Sequence, residues 1–175
     1  MQPVSYTATS LPNTPNTMFG AKRKAKIATG DDFFCRVWNG KITDKKIMAK
    51  SNDSFAVLDD YAVSPGHTLI VPKRHFSSLF EATPEERADL FSLLETCRDL
   101  LIKTLKDKNL PLPTGWNVGV NVGKDAGQTV EHLHVHLIPR YEGDMEDPTG
   151  GVRGVIPDKQ KYTGAPDRSV DKLLD

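Results

Sequence analysis

Residues 130–140 read Val130-Glu131-His132-Leu133-His134-Val135-His136-Leu137-Ile138-Pro139-Arg140. From His132 to Leu137 polar and apolar residues alternate, which is the period of an extended strand. A strand over Val130–Ile138, stopped by Pro139, puts three imidazoles on one face, about 6.6 Å apart. Leu133, Val135 and Leu137 then occupy the other face and need an apolar partner. A single core histidine is ordinary. Three in register form a polar stripe that costs stability unless each ring finds a hydrogen bond. The stripe therefore asks for a fold that supplies polar partners on one side and an apolar layer on the other.

The apolar layer is legible upstream. Thr83-Pro84-Glu85-Glu86 is a capping box with proline at the first helical position. Leu90, Leu93, Leu94, Cys97, Leu100, Leu101 and Leu105 follow at helical spacing. Four further short strands are predicted. They are Lys46–Ser51 and Ser54–Asp59 around the turn-like Asn52-Asp53, His67–Val71 after Ser64-Pro65-Gly66, and Trp116–Val122 with strict alternation. Five short strands with one long helix between the third and fourth predict an α+β domain. Its mostly antiparallel sheet is covered by the helix on one face.

Composition bounds the class. The chain has 175 residues, with 23 Lys plus Arg against 23 Asp plus Glu, so its formal charge is zero. That balance excludes tracking of a nucleic-acid polymer, which needs excess cationic side chains, but not binding of a single nucleotide. Two cysteines, Cys35 and Cys97, make no disulfide framework and fit a reducing compartment. Cys97 lies in the helix stripe and reads as a buried apolar thiol. No apolar run reaches the roughly 20 residues of a membrane span. Residues 1–30 are rich in Ser, Thr, Pro and Asn, with the basic segment Ala21–Lys26 and no acidic residue before Asp31. They read as a flexible extension, with an organelle-targeting segment as the alternative. The expected domain is 31–144, and 145–175 reads as an extended C-terminal segment. The cytoplasm is the default compartment.

Two chemistries compete for the histidine stripe. Alternating histidines can chelate zinc, although no acidic residue shares their face within the motif. Alternatively, a neutral imidazole, with its pKa near 6.5, can attack a phosphate ester while its neighbours bind oxygens or protonate a leaving group. Gly127, Gln128 and Thr129 directly precede the stripe and offer backbone N–H groups and a hydroxyl for phosphate. Asn121 adds a donor on the polar face of the preceding strand. These surroundings favour phosphorus chemistry.

Ala126–Arg140 resembles the signature of the histidine triad family, His-x-His-x-His with Gly-Gln-Ser/Thr upstream. Phe33–Ile42 and Ser64–His75 resemble two further family segments, so the likeness covers about Phe33 to Asp144. The resemblance implies the histidine-triad fold, a two-fold homodimer and cleavage at the α-phosphate of a nucleotide. It implies His134 as nucleophile, His136 at phosphate or leaving-group oxygens, and His132 and His67 as orienting residues. Asn121, Gly127 and Thr129 match phosphate contacts with Gln128 beside them, and Asp59 matches the ribose ligand. Phe34, Val37, Val57 and Leu69 match the apolar base pocket. Strand parity independently puts Val57 with Asp59 and Leu69 with His67.

Some relatives carry Cys-x-x-Cys as half of a structural zinc site. Here those positions hold Asp32 and Cys35, so no such site is expected, and His75 is expected in a surface or loop-anchoring role, with a phosphate contact as the alternative. No dedicated cofactor is expected, magnesium entering only with a polyphosphate substrate. The segment Tyr141–Pro157 is similar to the tail of the fragile histidine triad branch, with Arg153 either reaching distal phosphates or exposed and structural. The implied function is hydrolysis of a dinucleoside polyphosphate such as diadenosine tri- or tetraphosphate. The alternatives are a nucleoside phosphoramidase, a non-catalytic nucleotide sensor and a zinc-binding module.

Overall fold

The computed structural model of the chain describes residues 30–43, 47–157 and 160–161. Residues 1–29 of the proposed N-terminal extension, with its targeting alternative, Lys46 of the first predicted strand and residues 162–175 lie outside these. The first element is a helix that the sequence pattern does not announce, α1 (Phe33–Trp38). Asp32 caps it, Oδ1 accepting from the N–H groups of Phe34 (2.8 Å) and Cys35 (3.1 Å). Strands β1 (Ile47–Lys50), β2 (Ser54–Leu58) and β3 (Thr68–Pro72) follow. Helix α2 (Pro84–Asp107) then leads to β4 (Gly115–Gly119) and β5 (Val135–Arg140). The sheet order is β1-β2-β3-β5-β4, and every neighbouring pair is antiparallel. The expected α+β architecture of five strands and one long helix is therefore present.

The two sheet faces are covered differently. Ala56, Ile70, Leu133, Val135 and Leu137 pack against Leu90, Leu93, Leu94 and Cys97 of α2. Leu101 and Leu105 complete the buried helix face, whereas Leu100 lies at its margin, 38% exposed. The helix starts where the capping box places it. Thr83 Oγ1 accepts from Glu86 N–H (3.2 Å), and the Glu86 carboxylate accepts from Thr83 N–H (2.9 Å). The other face carries α1. Phe34 and Val37 join Phe55, Val57, Leu69 and Val71 in a second apolar cluster. The sheet is thus buried from both sides at its centre.

Strand ends depart from the periodicity in two places that matter. The alternation predicts β4 to Val122 and β5 from Val130, but the ladder stops at Gly119 and resumes at Val135. Residues between them leave the sheet as a loop with a 3-10 turn at Lys124–Ala126. Ile70 pairs with Val135 in the last register step between β3 and β5. Two residues on, β3 reaches Pro72, which has no N–H to offer a ladder. Leu133 instead bonds its N–H to the Phe76 carbonyl (2.7 Å). His132 and His134 consequently precede the strand, and only His136 lies within it.

The turn before β3 requires its glycine. Gly66 has φ +87°, and a Cβ there would stand 2.6 Å from a Leu101 methyl group of α2. The Leu93→Ala substitution removes buried volume between α2 and the sheet without touching a histidine. It is expected to lower unfolding free energy by about 2–5 kcal/mol in chemical denaturation. A loss under about 1 kcal/mol would contradict the packing assigned to α2.

Candidate functional site

The loop exit just described sets the chemistry of His134. Its Nδ1 lies 2.8 Å from the His132 carbonyl oxygen. A carbonyl only accepts, so Nδ1 carries the proton and Nε2 carries the lone pair. Among the described residues, Nε2 of His134 has no hydrogen-bond partner. The ring lies 5.2 Å from that of Phe34 and 5.1 Å from that of His136, centroid to centroid. An imidazole with its proton fixed on one nitrogen presents the other as a nucleophile.

The second pair is His67 and His136. Val63 N–H donates to His67 Nδ1 (3.4 Å), so His67 carries its proton on Nε2 and donates to His136 Nδ1 (3.0 Å). Asp59 Oδ2 approaches the same His67 nitrogen to 3.4 Å without forming a hydrogen bond. The relay leaves a proton on His136 Nε2, a buried atom with no partner. A buried donor costs free energy until something accepts from it. It therefore points to an acceptor brought by a ligand. Burial, with the neighbouring His134 and His67 rings, pushes His136 down to about 4. Burial also lowers His67, against the opposing pull of Asp59.

The other expected residues fall around these rings. Phe34, Val37, Val57 and Leu69 meet in one buried cluster beside His134. Leu69 pairs with His136 across the β3–β5 ladder, and Asp59 follows β2 with its N–H on the His67 carbonyl (2.9 Å). Gly127 adopts φ +84°, in the left-handed region, with Asn121 Nδ2 3.9 Å from where its Cβ would be. Thr129 is exposed on the same loop between β4 and β5. Gln128 is differently employed. Its Oε1 accepts from Gly123 N–H (2.8 Å) and its Nε2 donates to the Ser77 carbonyl (2.8 Å), fastening the loop to the body. Arg153, considered for distal phosphates, donates from Nε to the Gln160 carbonyl (3.2 Å). Arg140 grips Asp144 with two nitrogens and Asn117 with a third.

The three motif histidines do not converge on one point as a three-ligand chelate. His136 groups with Asp59 and His67. His132 groups with Asp32, Cys35 and His75. This second cluster was not foreseen from sequence. His75, expected at the surface or as a loop anchor, instead places Nδ1 2.8 Å from Asp32 Oδ2 and 3.6 Å from Cys35 Sγ. Burial tends to raise the Asp32 carboxyl, but hydrogen bonds from the Cys35 side chain and N–H outweigh it and hold it well below the usual carboxylate range. Burial and the same carboxylate push the Cys35 thiol up to about 12. The one available signal was Asp32-x-x-Cys35 at a helix start, with His75 a strand length beyond His67.

Comparison with known proteins agrees with this geometry. The profile of the HIT domain matches residues 40–143. The chain belongs to the HIT family. It is 39% identical over 114 residues to AP-4-A phosphorylase of Mycobacterium tuberculosis, covering 63% of this chain and 55% of that protein. It is 32% identical over 102 residues to an asymmetrical bis(5'-nucleosyl)-tetraphosphatase of Schizosaccharomyces pombe, covering 58% of this chain and 53% of that one. The matched region thus spans about half the length of these two relatives. A crystal structure from Streptococcus mutans shares the fold at TM-score 0.63 and 29% identity, covering 93% of this chain and 94% of its own. Among the described residues no helix is long and apolar enough to cross a membrane.

The lowered histidines have a consequence for stability. An unfolded chain takes up protons at these rings near pH 6.5, while the folded chain resists them, His136 to about 4. The stability they contribute is therefore present above about pH 6.5 and is lost as pH falls towards 4. The melting temperature by circular dichroism is expected to fall between pH 7.5 and pH 5. A melting temperature that held or rose over that interval would contradict the burial of neutral rings.

Proposed function

We propose that this HIT protein cleaves dinucleoside polyphosphates such as diadenosine tri- or tetraphosphate at the α-phosphate, through a nucleotidyl intermediate on His134. One observation carries the reading. His134 Nδ1 is tied to the His132 carbonyl, and Nε2 is left as a lone-pair nitrogen beside His136 and the Phe34 ring. The base would lie against Phe34, Val37, Val57 and Leu69, with Asp59 at the ribose hydroxyls. Asn121, the Gly127 backbone and Thr129 would meet the phosphate.

In the first step His134 Nε2 attacks the α-phosphorus. A P–N bond forms as the P–O bond to the leaving nucleotide breaks, and His136 Nε2 passes its proton to the leaving oxygen. In the second step water attacks the phosphorus and returns a proton to His136, while the P–N electrons return to His134. Lone-pair direction and in-line placement supply most of the barrier reduction that a protein contributes to phosphoryl transfer. Magnesium would arrive with the polyphosphate, and a homodimer is proposed on the family resemblance.

The names of the two relatives point to alternative second steps. Water as acceptor gives AMP, whereas inorganic phosphate would give ADP from the same intermediate. The proposal takes water as the acceptor. Purified protein is expected to release AMP from diadenosine triphosphate, with an AMP-lysine amide a poorer substrate. His134→Ala is expected to lose at least about a thousandfold in turnover while still binding AMP in calorimetry. Retained turnover in that variant would overturn the nucleophile. Turnover of the amide alone would favour the phosphoramidase reading, and replacement of AMP by a second ADP on adding phosphate would favour the phosphorylase.

A further inference from the structure

In the proposed reaction the attacked nucleotide has a base pocket, a ribose ligand and phosphate contacts, while the departing nucleotide has none. Its chain begins beside His136, which gives the leaving oxygen its proton. The sheet register fixes what surrounds that ring. Leu69 lies across from it on β3 and belongs to the base pocket, and Gly119 lies across from it on β4. Two residues further along β5, about 6.6 Å away by strand rise, Ile138 lies across from Asn117. Arg140 then lies across from Gly115. Strand β4 thus gives the histidine face only Gly115, Asn117 and Gly119, and its Trp116 and Val118 belong to the opposite face. A trough runs from His136 over Gly119 towards Asn117.

Gly119 is demanded neither by its backbone nor by its packing. Its φ lies outside the left-handed region, and a Cβ there would meet nothing within 4 Å. Glycine weakens a strand, and it recurs where a ligand approaches the backbone closely. Beyond it the trough opens into a recess of about 300 Å³ between Val63, Asn117, Ile138, Arg140 and Met145. That lies at the lower end of the roughly 300–1,000 Å³ of small-ligand sites. One wall is apolar, and two of its side chains, Val63 and Met145, are 72% and 44% exposed. The polar wall is held in place. Arg140 donates to Asn117 Oδ1 (2.7 Å) and to both carboxylate oxygens of Asp144. Arginine only donates, so the Asn117 oxygen faces it, and Nδ2 is left as a donor without a hydrogen-bond partner among the described residues. Asp144 neutralises Arg140, so the recess suits a flat heteroaromatic ring with acceptor atoms better than a free phosphate.

We propose that this trough and recess bind the departing nucleoside of the dinucleoside polyphosphate. The polyphosphate passes over Gly119, the second base lies among Val63, Ile138 and Met145, and Asn117 Nδ2 donates to an acceptor on that base. The subsite rests on the reading of a dinucleoside polyphosphate as substrate, and it makes the second nucleoside a determinant of specificity.

Calorimetry of the full chain tests it with two uncleavable ligands, α,β-methylene diadenosine triphosphate and α,β-methylene ADP. Both present the same bridged α-phosphate, and only the first carries a second nucleoside. It is expected to bind at least about tenfold more tightly. Gly119→Val, which the open space and extended backbone allow, is expected to abolish that preference with α,β-methylene ADP binding and melting temperature retained. Val63→Ser combined with Met145→Ser, both at exposed positions, is expected to reduce the preference about fivefold. In unaltered protein with carbon-13 methyl-labelled methionine, the Met145 resonance is expected to move with the dinucleotide and not with α,β-methylene ADP. Equal affinity for the two ligands would overturn the subsite and leave the nucleotide site standing, as would a Met145 resonance indifferent to the second nucleoside. Failure to bind either ligand would overturn the substrate reading itself, and the subsite with it.

Discussion

The hydrogen bond from His134 Nδ1 to the His132 carbonyl is the contact on which the site depends. It settles which nitrogen of the central ring can act, and it exists because the chain leaves the sheet just before β5. Pro72 ends the useful ladder of β3, since it has no N–H. Beyond Val135 the backbone of residues 132–134 is therefore available to its own side chains. Pro72 contributes twice, because its carbonyl also accepts from the His132 ring. A continuous strand through Val130 would have held the three rings in plain alternation without this fixing of protons.

Around that contact each ring has a distinct neighbour. His132 meets Asp32, Cys35 and His75. His134 meets Phe34 and its own upstream carbonyl. His136 meets His67 and leaves one buried N–H unpartnered. The central ring thereby carries its proton on Nδ1 while its two neighbours in the motif carry theirs on Nε2, through fixed backbone and side-chain partners. The sheet makes this affordable in stability. Leu133, Val135 and Leu137, between the histidines, are buried against α2, so the polar stripe rests on a packed layer.

Much of this was legible in the chain. The alternation from His132 to Leu137 separated polar from apolar faces correctly, and the Thr83-Pro84-Glu85-Glu86 box marked the helix start at the right residue. Strand parity puts Val57 with Asp59 and Leu69 with His67. The strand ends were not legible, because Val120, Val122 and Val130 alternate as well outside a ladder as within one. Helix α1, at six residues, is too short to show a period. The Asp32 cluster escaped because its members are separated by up to 100 residues and only the crossing of α1 over the sheet unites them.

The central claim is the placement of protons on these rings, and nitrogen-15 NMR of histidine-labelled protein at pH 7.5 reads it directly. His134 is expected with its proton on Nδ1 and an unprotonated Nε2, and His132 and His136 with theirs on Nε2. A spectrum with His134 protonated on Nε2 would contradict the account.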